Sequence, residues 1–244
     1  MLEEKQSCQI ASMALASEIM MIVLANTKGG VGKSTLAVHL AIWAFDQGIR
    51  TALIDTDKQR SSSQWIGEAE PGIEVRTADT PEECLKYAQE LRLTNDLLIG
   101  DGPAGLDDVS RTLLILSDIA ILPLTPSILD LRSVQQATDV LRFAQGINGG
   151  RPEGRIVLNK MRTRDSISKE LKTAAQSLGV TVATTVIRDL QAYRDAAGQA
   201  SSVTRLGKKA QSAAAEVDEL FRELLGKNLK QLMTKSAHKE VANG

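Results

Sequence analysis

The most constraining feature of this sequence is a junction. An apolar run at residues 21–26 (MIVLAN) passes through TKGGVG at 27–32 straight into Lys33, Ser34 and Thr35, which open a segment of helical spacing reaching Gln47. A short apolar run ended by glycines reads as a buried strand. Gly29, Gly30 and Gly32 let the backbone bring several N–H groups onto one point. The helix beginning near Lys33 adds the positive end of its dipole there. Such a chain builds an anion site at a strand's carboxyl end, with a lysine along it and a hydroxyl suited to a divalent cation. A glycine-rich turn without a ligand does not account for lysine, serine and threonine directly after it.

The rest of the chain repeats the alternation. Strand-like runs at 51–57, 72–77, 96–101, 118–124, 155–161 and 180–187 are interleaved with helix-like segments at 81–92, 108–117, 128–144, 166–178 and 202–225. Strands that are apolar on both faces are buried on both faces. Alternation with helices gives βαβ units and an α/β fold: a mainly parallel, twisted sheet with helices on both faces. One domain is expected over 20–225, with a poorly ordered tail at 1–19 and a basic tail at 226–244.

Composition narrows the function. A net charge of −1 leaves any attraction to nucleic acid or membrane to a local patch, and 3% aromatic residues argue against stacking platforms for single strands. Cys8 and Cys84 match no metal spacing and are expected as two reduced thiols in a cytoplasmic protein, with a disulfide between them as the lesser alternative. His39 falls in a predicted helix and is expected as a packed or half-exposed residue. No apolar run approaches the roughly 18 residues a membrane span needs, and the first 19 residues lack the cationic start of a signal peptide.

The junction departs from the common phosphate-loop pattern G-x-x-x-x-G-K-[ST]. Thr27 stands where its first glycine would be, and a second lysine, Lys28, follows. KGGVGKST at 28–35 resembles the deviant Walker A motif of the ParA/MinD group of P-loop ATPases, in which the added lysine is the signature. The resemblance implies a P-loop NTPase fold, with ATP held by Lys28, Gly29, Gly30, Val31, Gly32, Lys33, Ser34 and Thr35. It also implies a homodimer with ATP sandwiched between subunits, Lys28 reaching the partner's phosphates.

Other stretches extend it. LIDTDKQRSSS at 53–63 resembles the family's D-x-D-P-Q motif, with Gln59 matching and Lys58 replacing the proline. By resemblance Asp55 supports the metal and Asp57 orients the attacking water, a positioning role in phosphoryl transfer. Ser61, Ser62 and Ser63 are expected to cap the following helix. Asp101 ends a strand beside the loop and can hold Mg²⁺ through water, alongside Ser34. Gly102-Pro103-Ala104-Gly105 after it lacks the hydroxyl usual in the family. Asn159 stands where the family contacts adenine. Arg162, in place of the aspartate that reads guanine in GTPases, favours ATP over GTP. Lys28, Lys33 and Asp57 are the expected catalytic set.

Four uses of this fold are separable. A ParA-type ATPase, cytoplasmic and nucleoid-associated, binds DNA without sequence preference and positions a plasmid, chromosome or protein complex. A ParB-like or other cargo adaptor protein then stimulates its hydrolysis. Residues 186–215 carry five cations against two carboxylates, and Arg188, Arg205, Lys208 and Lys209 are the expected DNA contacts. A MinD-type ATPase would instead place a C-terminal amphipathic helix on membrane, using Val217, Leu220, Phe221, Leu224, Leu225, Leu229 and Leu232 with Lys227, Lys230, Lys235 and Lys239. This is the lesser reading, because Gly226 interrupts the pattern and the acidic first half suits a helix packed on the core. A nitrogenase-iron-protein-like reductase lacks its cysteines, and a tyrosine autokinase lacks its tyrosine cluster. With only about 20 residues before the first strand, the chain resembles the small partition ATPases, without an operator-binding region.

Overall fold

Strand β1 (Met20–Asn26) is buried along its length except at Met20, because it forms the middle of a sheet covered on both sides. The computed structural model describes residues 19–105, 107–162 and 167–242. Around β1 lie β2 (Thr51–Asp55), β3 (Glu74–Thr77), β4 (Leu97–Ala104), β5 (Ile119–Leu124), β6 (Glu153–Leu158) and β7 (Thr181–Val182). All pair parallel, in the order β3-β2-β4-β1-β5-β6-β7. The chain leaves β1 toward one edge and crosses back over it from β4 to β5. Strand order therefore reverses at β1, and a crevice opens at its carboxyl end. Register sets Leu24 beside Asp101 and Asp55 beside Asp101, so two carboxylates meet at that edge. Only glycine fits at Gly102, where a Cβ would stand 2.7 Å from the Leu24 carbonyl oxygen.

Helix α1 (Lys33–Asp46) has little amphipathic contrast because it is enclosed nearly all round, every residue from Leu36 to Ala44 being buried. It shares one core with α2 (Ser61–Ala69), α7 (Gln191–Gly198), α8 (Gln211–Leu225) and α9 (Lys227–Ala242). Trp43 packs on Phe221 and donates to Asp218 at 2.9 Å, tying α1 to α8. Truncating either ring would cost about 3–5 kcal/mol. The other face carries α3 (Pro81–Leu91), α4 (Asp108–Leu116), α5 (Ile128–Ile147) and α6 (Ile167–Gln176). Thr80 and Asp107 cap α3 and α4 by accepting from Glu83 N and Ser110 N.

Several elements differ from the sequence reading. The strand expected at 180–187 pairs only at Thr181–Val182, because the Glu223 carboxylate takes the Thr184 and Thr185 amides at 2.6 and 2.8 Å instead of β6. The helix expected at 202–225 begins as two 3₁₀ turns, Val203–Arg205 and Gly207–Ala210, and becomes α-helical at Gln211. Residues 61–63 lie inside α2 rather than before it. Its entry is tied by Asp55, whose Oδ2 accepts from Ser63 N at 2.9 Å. A tail was expected from 226, but α9 occupies 227–242, with Leu229 and Leu232 buried in the α1–α8 core. The expected tail at 1–19 lies, apart from Ile19, outside the described residues, as do Cys8 and the side chains of Lys235, His238 and Lys239. Cys84 is a buried free thiol, pushed up to about 11 chiefly by burial.

His39 joins α1 to the first 3₁₀ turn. It is fully buried, its Nδ1–H donates to Thr35 O at 2.7 Å, and its Nε2 accepts from Val203 N at 3.3 Å. Trp65 and Tyr193 enclose its ring at centroid distances of 5.6 and 5.5 Å. Burial lowers its pKa from 6.5 to about 4, despite the Thr35 carbonyl. The unfolded chain therefore binds a proton that the folded chain refuses. This stabilising contribution is complete above pH 6.5 and is lost as pH falls toward about 4, by up to about 3 kcal/mol. In denaturant titrations the stability advantage of wild type over His39→Gln should be constant above pH 6.5 and shrink as pH falls from 6.5 toward about 4. Parallel curves would refute the neutral, buried imidazole.

Candidate functional site

The β1–α1 loop, the turn after β2, the end of β4 and the turn after β6 surround a cleft of about 540 Å³. Its lining includes Gly29, Gly30, Gly32, Lys33, Ser34, Thr35, Asp57, Asp107 and Lys160. The loop is held from behind. The Asn26 side chain donates to Pro123 O at 2.7 Å and accepts from Lys28 N at 3.0 Å. Lys33 Nζ donates to Lys28 O at 3.1 Å. Gly32 has φ 97°, and a Cβ there would collide with the Asn159 amide. No side chain caps α1, so its first amides face the cleft without an internal acceptor.

Three charged groups converge. Lys33 is buried, and desolvation lowers its pKa while Asp101 and Asp57 act to raise it. Asp101 is fully buried, and neither carboxylate oxygen has a hydrogen-bond partner. Burial raises its pKa from 3.8 to about 7. The hydroxyls of Ser34 and Ser62 lie near enough to oppose that shift, yet neither completes a hydrogen bond with it. Asp57 is half-buried in a turn built by Asp55: Asp55 Oδ1 accepts from Asp57 N at 3.0 Å, and Asp57 Oδ1 accepts from Gln59 N at 2.9 Å.

An orphaned, buried carboxylate beside a serine hydroxyl at a phosphate loop fits a hard divalent cation, which would satisfy the oxygens that nothing else does. Among the described residues no three acidic, His or Cys side chains could hold a metal by themselves. That suits Mg²⁺, which keeps several waters and is shared with phosphates. Ser34 and Asp101 are the residues that would hold it. Asp55 adjoins that point, but both its oxygens are engaged with backbone amides of the turn and α2.

The expected residues fall into two groups in space. Lys28 to Thr35, Asp55, Asp57, Asp101 and Asn159 are brought together. Asn159 is buried, with Nδ2 donating to Val31 O at 2.7 Å, so it braces the loop. Lys28 is exposed. None of the four expected DNA residues lines this cleft, and two of them are neutralised by acid. Arg188 pairs with Glu216, and Arg205 pairs with Asp46 and Glu70 at 2.5 and 2.9 Å. Lys208 and Lys209 are exposed in the second 3₁₀ turn and form no ion pair among the described residues.

Three site residues escaped the sequence reading. Thr56 is buried and donates through N and Oγ1 to Asp101 O at 3.1 and 2.8 Å, locking β2's end to β4. Arg60, at φ 54°, donates to Asp55 O at 2.8 Å and pairs with Asp79 at 2.5 Å. Lys160 Nζ donates to Gly30 O at 2.7 Å. For Thr56 and Arg60 the adjacent D-x-D pair was a signal. For Lys160 the only one was its place after an apolar strand.

Comparison with known proteins follows the same lines. Residues 22–203 match the CobQ/CobB/MinD/ParA nucleotide binding domain. The chain is 31% identical over 211 residues to the maintenance of carboxysome distribution protein A of Halothiobacillus neapolitanus, covering 84% of this chain and 95% of that protein. It is 42% identical over 74 residues to the chromosome-partitioning ATPase Soj of Thermus thermophilus, 30% of each chain. Among solved structures, the ATP complex of Cyanothece McdA superposes with a TM-score of 0.68, at 16% identity over 86% of this chain and 97% of that one. The MinC:MinD cell division protein complex of Aquifex aeolicus gives 0.70, at 16% identity over 85% and 96%. At such identities the likeness bears on the fold alone.

The buried Asp101 carboxylate makes a pH-dependent prediction. Because burial raises its pKa, keeping it charged in the fold is unfavourable; the cost begins above pH 3.8 and is complete above about pH 7. Without nucleotide and metal, Asp101→Asn should raise the melting temperature at pH 8, by the equivalent of up to about 4 kcal/mol, and leave it unchanged near pH 4. An equal effect at both pH values would contradict the desolvated carboxylate.

Proposed function

The chain belongs to the CobQ/CobB/MinD/ParA nucleotide-binding domain family, and from that premise we propose that it is a ParA-type, Mg²⁺-dependent ATP hydrolase. It pairs two copies around ATP, binds DNA without sequence preference in that state, and positions a cargo. The observation that carries this reading is the disposition of the two loop lysines. Lys33 is buried and turned inward onto the Lys28 carbonyl, whereas Lys28 itself is exposed at the loop's start. A cation outside its own cleft, one residue from the first loop glycine, suits phosphates held by a second copy.

The loop amides and Lys33 would hold the phosphates, with Lys33 as their internal countercharge. Mg²⁺ held at Ser34 and Asp101 would neutralise charge on the β- and γ-oxygens. Asp57, fixed by Asp55 and Gln59, would orient the water, and Asn159 would keep the loop in place beside the base. One carboxylate in a half-buried turn is a weak activator alone, which suits a reaction that waits for a stimulating partner. The relative matched along most of its length is named for carboxysome distribution, so a carboxysome-like body is favoured over a plasmid as cargo. A ParB-like or other adaptor on that cargo would be the partner.

The C-terminal helix favours this reading over a membrane-bound one. Leu229 and Leu232, which a membrane anchor would need, are spent on the core. Among the described residues no helix is long and apolar enough to cross a membrane.

Two measurements test the reading. Asp57→Ala should bind ATP without turnover and give a dimer mass by light scattering, whereas Asp57→Ala with Lys28→Ala should bind ATP as a monomer. A double variant that still dimerises would remove Lys28 from the interface. Lys208→Glu with Lys209→Glu should lower ATP-dependent retention on random-sequence DNA about tenfold at constant salt, with unchanged ATP affinity. Full retention would move the DNA surface elsewhere. Arg205 is left intact in that test because its pairs with Asp46 and Glu70 hold the ends of α1 and α2 together.

A further inference from the structure

Two consecutive residues hold two consecutive carbonyls of the phosphate loop. Asn159 Nδ2 donates to Val31 O and Lys160 Nζ to Gly30 O, each at 2.7 Å. Neighbouring side chains on an extended strand point to opposite faces. Here both reach one loop because Lys160 sits at φ 55°, a left-handed conformation rare for a residue with a side chain. The backbone on either side is pinned: Asn159 N donates to Leu124 O at 2.8 Å and Met161 N to Ile187 O at 3.0 Å. The lysine is thus presented from a rigid base.

A peptide unit is planar and trans, so its C=O and the following N–H point in opposite directions. Holding the Gly30 carbonyl on Lys160 therefore fixes the Val31 N–H in the opposite direction. Holding the Val31 carbonyl does the same for Gly32 N–H. Lys33, through Lys28 O, acts equally on Gly29 N–H, but Lys33 is the residue the phosphates would take for themselves. Lys160 remains. It also lines both the nucleotide cleft and a second cavity of about 460 Å³ formed with Gly30, Thr125, Pro126, Arg162 and Asp189.

We infer that Lys160 is a positioning residue for the phosphate loop: its ammonium fixes the Gly30–Val31 peptide so that the Val31 N–H is already aimed at phosphate before nucleotide arrives. The inference rests on the nucleotide-binding reading above. It differs from a contact to the base or to the γ-phosphate, because the acceptor is the loop's own carbonyl.

The test is calorimetric binding of MgATP, MgADP and inorganic triphosphate to wild type, Lys160→Met and Lys160→Arg, with apo melting temperatures. Methionine keeps the stem and removes the donor, and arginine restores a charged donor. Lys160→Met should weaken all three ligands by a similar factor, about tenfold, with the apo melting temperature within a degree or so of wild type. Lys160→Arg should recover most of that loss. Unchanged affinities overturn the inference. So does a loss confined to the two nucleotides, which would make the lysine a base contact, or one larger for ATP and triphosphate than for ADP, which would make it a γ-phosphate contact. A lowered apo melting temperature without rescue by arginine would assign Lys160 to the fold. Wild-type protein that binds none of the three ligands would instead overturn the nucleotide reading itself.

Discussion

Opposite charges kept out of water are what the rest of the site is arranged around. The Lys33 ammonium and the Asp101 carboxylate both lie buried at the carboxyl end of the central strands, and each is shifted toward its neutral form by desolvation. Neither would be tolerated there as an isolated group. Each offsets the other's burial only in part, and in the reading proposed above the phosphates and cation that would lie between them supply the rest. The sheet enforces the encounter, because register aligns Asp101 with both Leu24 and Asp55.

Around that pair the backbone is fixed from several directions. Asn26 ties the loop's start to β5, Asn159 and Lys160 hold its middle, and Thr56 holds the end of β2 to Asp101's own carbonyl. Preorganisation of this kind removes the cost of arranging donors once an anion arrives. The same supports run on toward the basic turn. His39, one helical turn beyond Thr35, bonds the Val203 amide, and Trp65 in α2 donates to Ser201 O at 3.0 Å. The phosphate loop, the Asp57 turn and the segment leading to Lys208 and Lys209 are therefore packed as neighbours.

Much of the fold was legible because its signals are local. Apolar runs marked six of the seven strands to within a few residues, and the glycines, Lys33 and Ser34 marked the anion site. The seventh strand was over-read: 180–187 is apolar enough to extend, but its amides at Thr184 and Thr185 are claimed by Glu223, 39 and 38 residues away. The C-terminal segment was misjudged for a similar reason. Leu229 and Leu232 looked unpartnered only because the core that buries them lies elsewhere in the chain. At the site, Lys160 carried only the weak signal of following an apolar strand, since its partner Gly30 is 130 residues distant. Summing charge over 186–215 overstated the basic face, because Asp46, Glu70 and Glu216, which neutralise Arg205 and Arg188, lie outside that window.

By itself the sequence determined that this chain builds a parallel α/β sheet with an anion site after its first strand, and that a lysine stands just ahead of that site's glycines. Periodicity and loop chemistry act over a few residues and survive without the fold. Only the tertiary structure decided which carboxylate stays unsatisfied, which cations remain unpaired with acid, and which side chains hold the loop. Those outcomes depend on burial and on partners that sheet register brings together from distant parts of the chain.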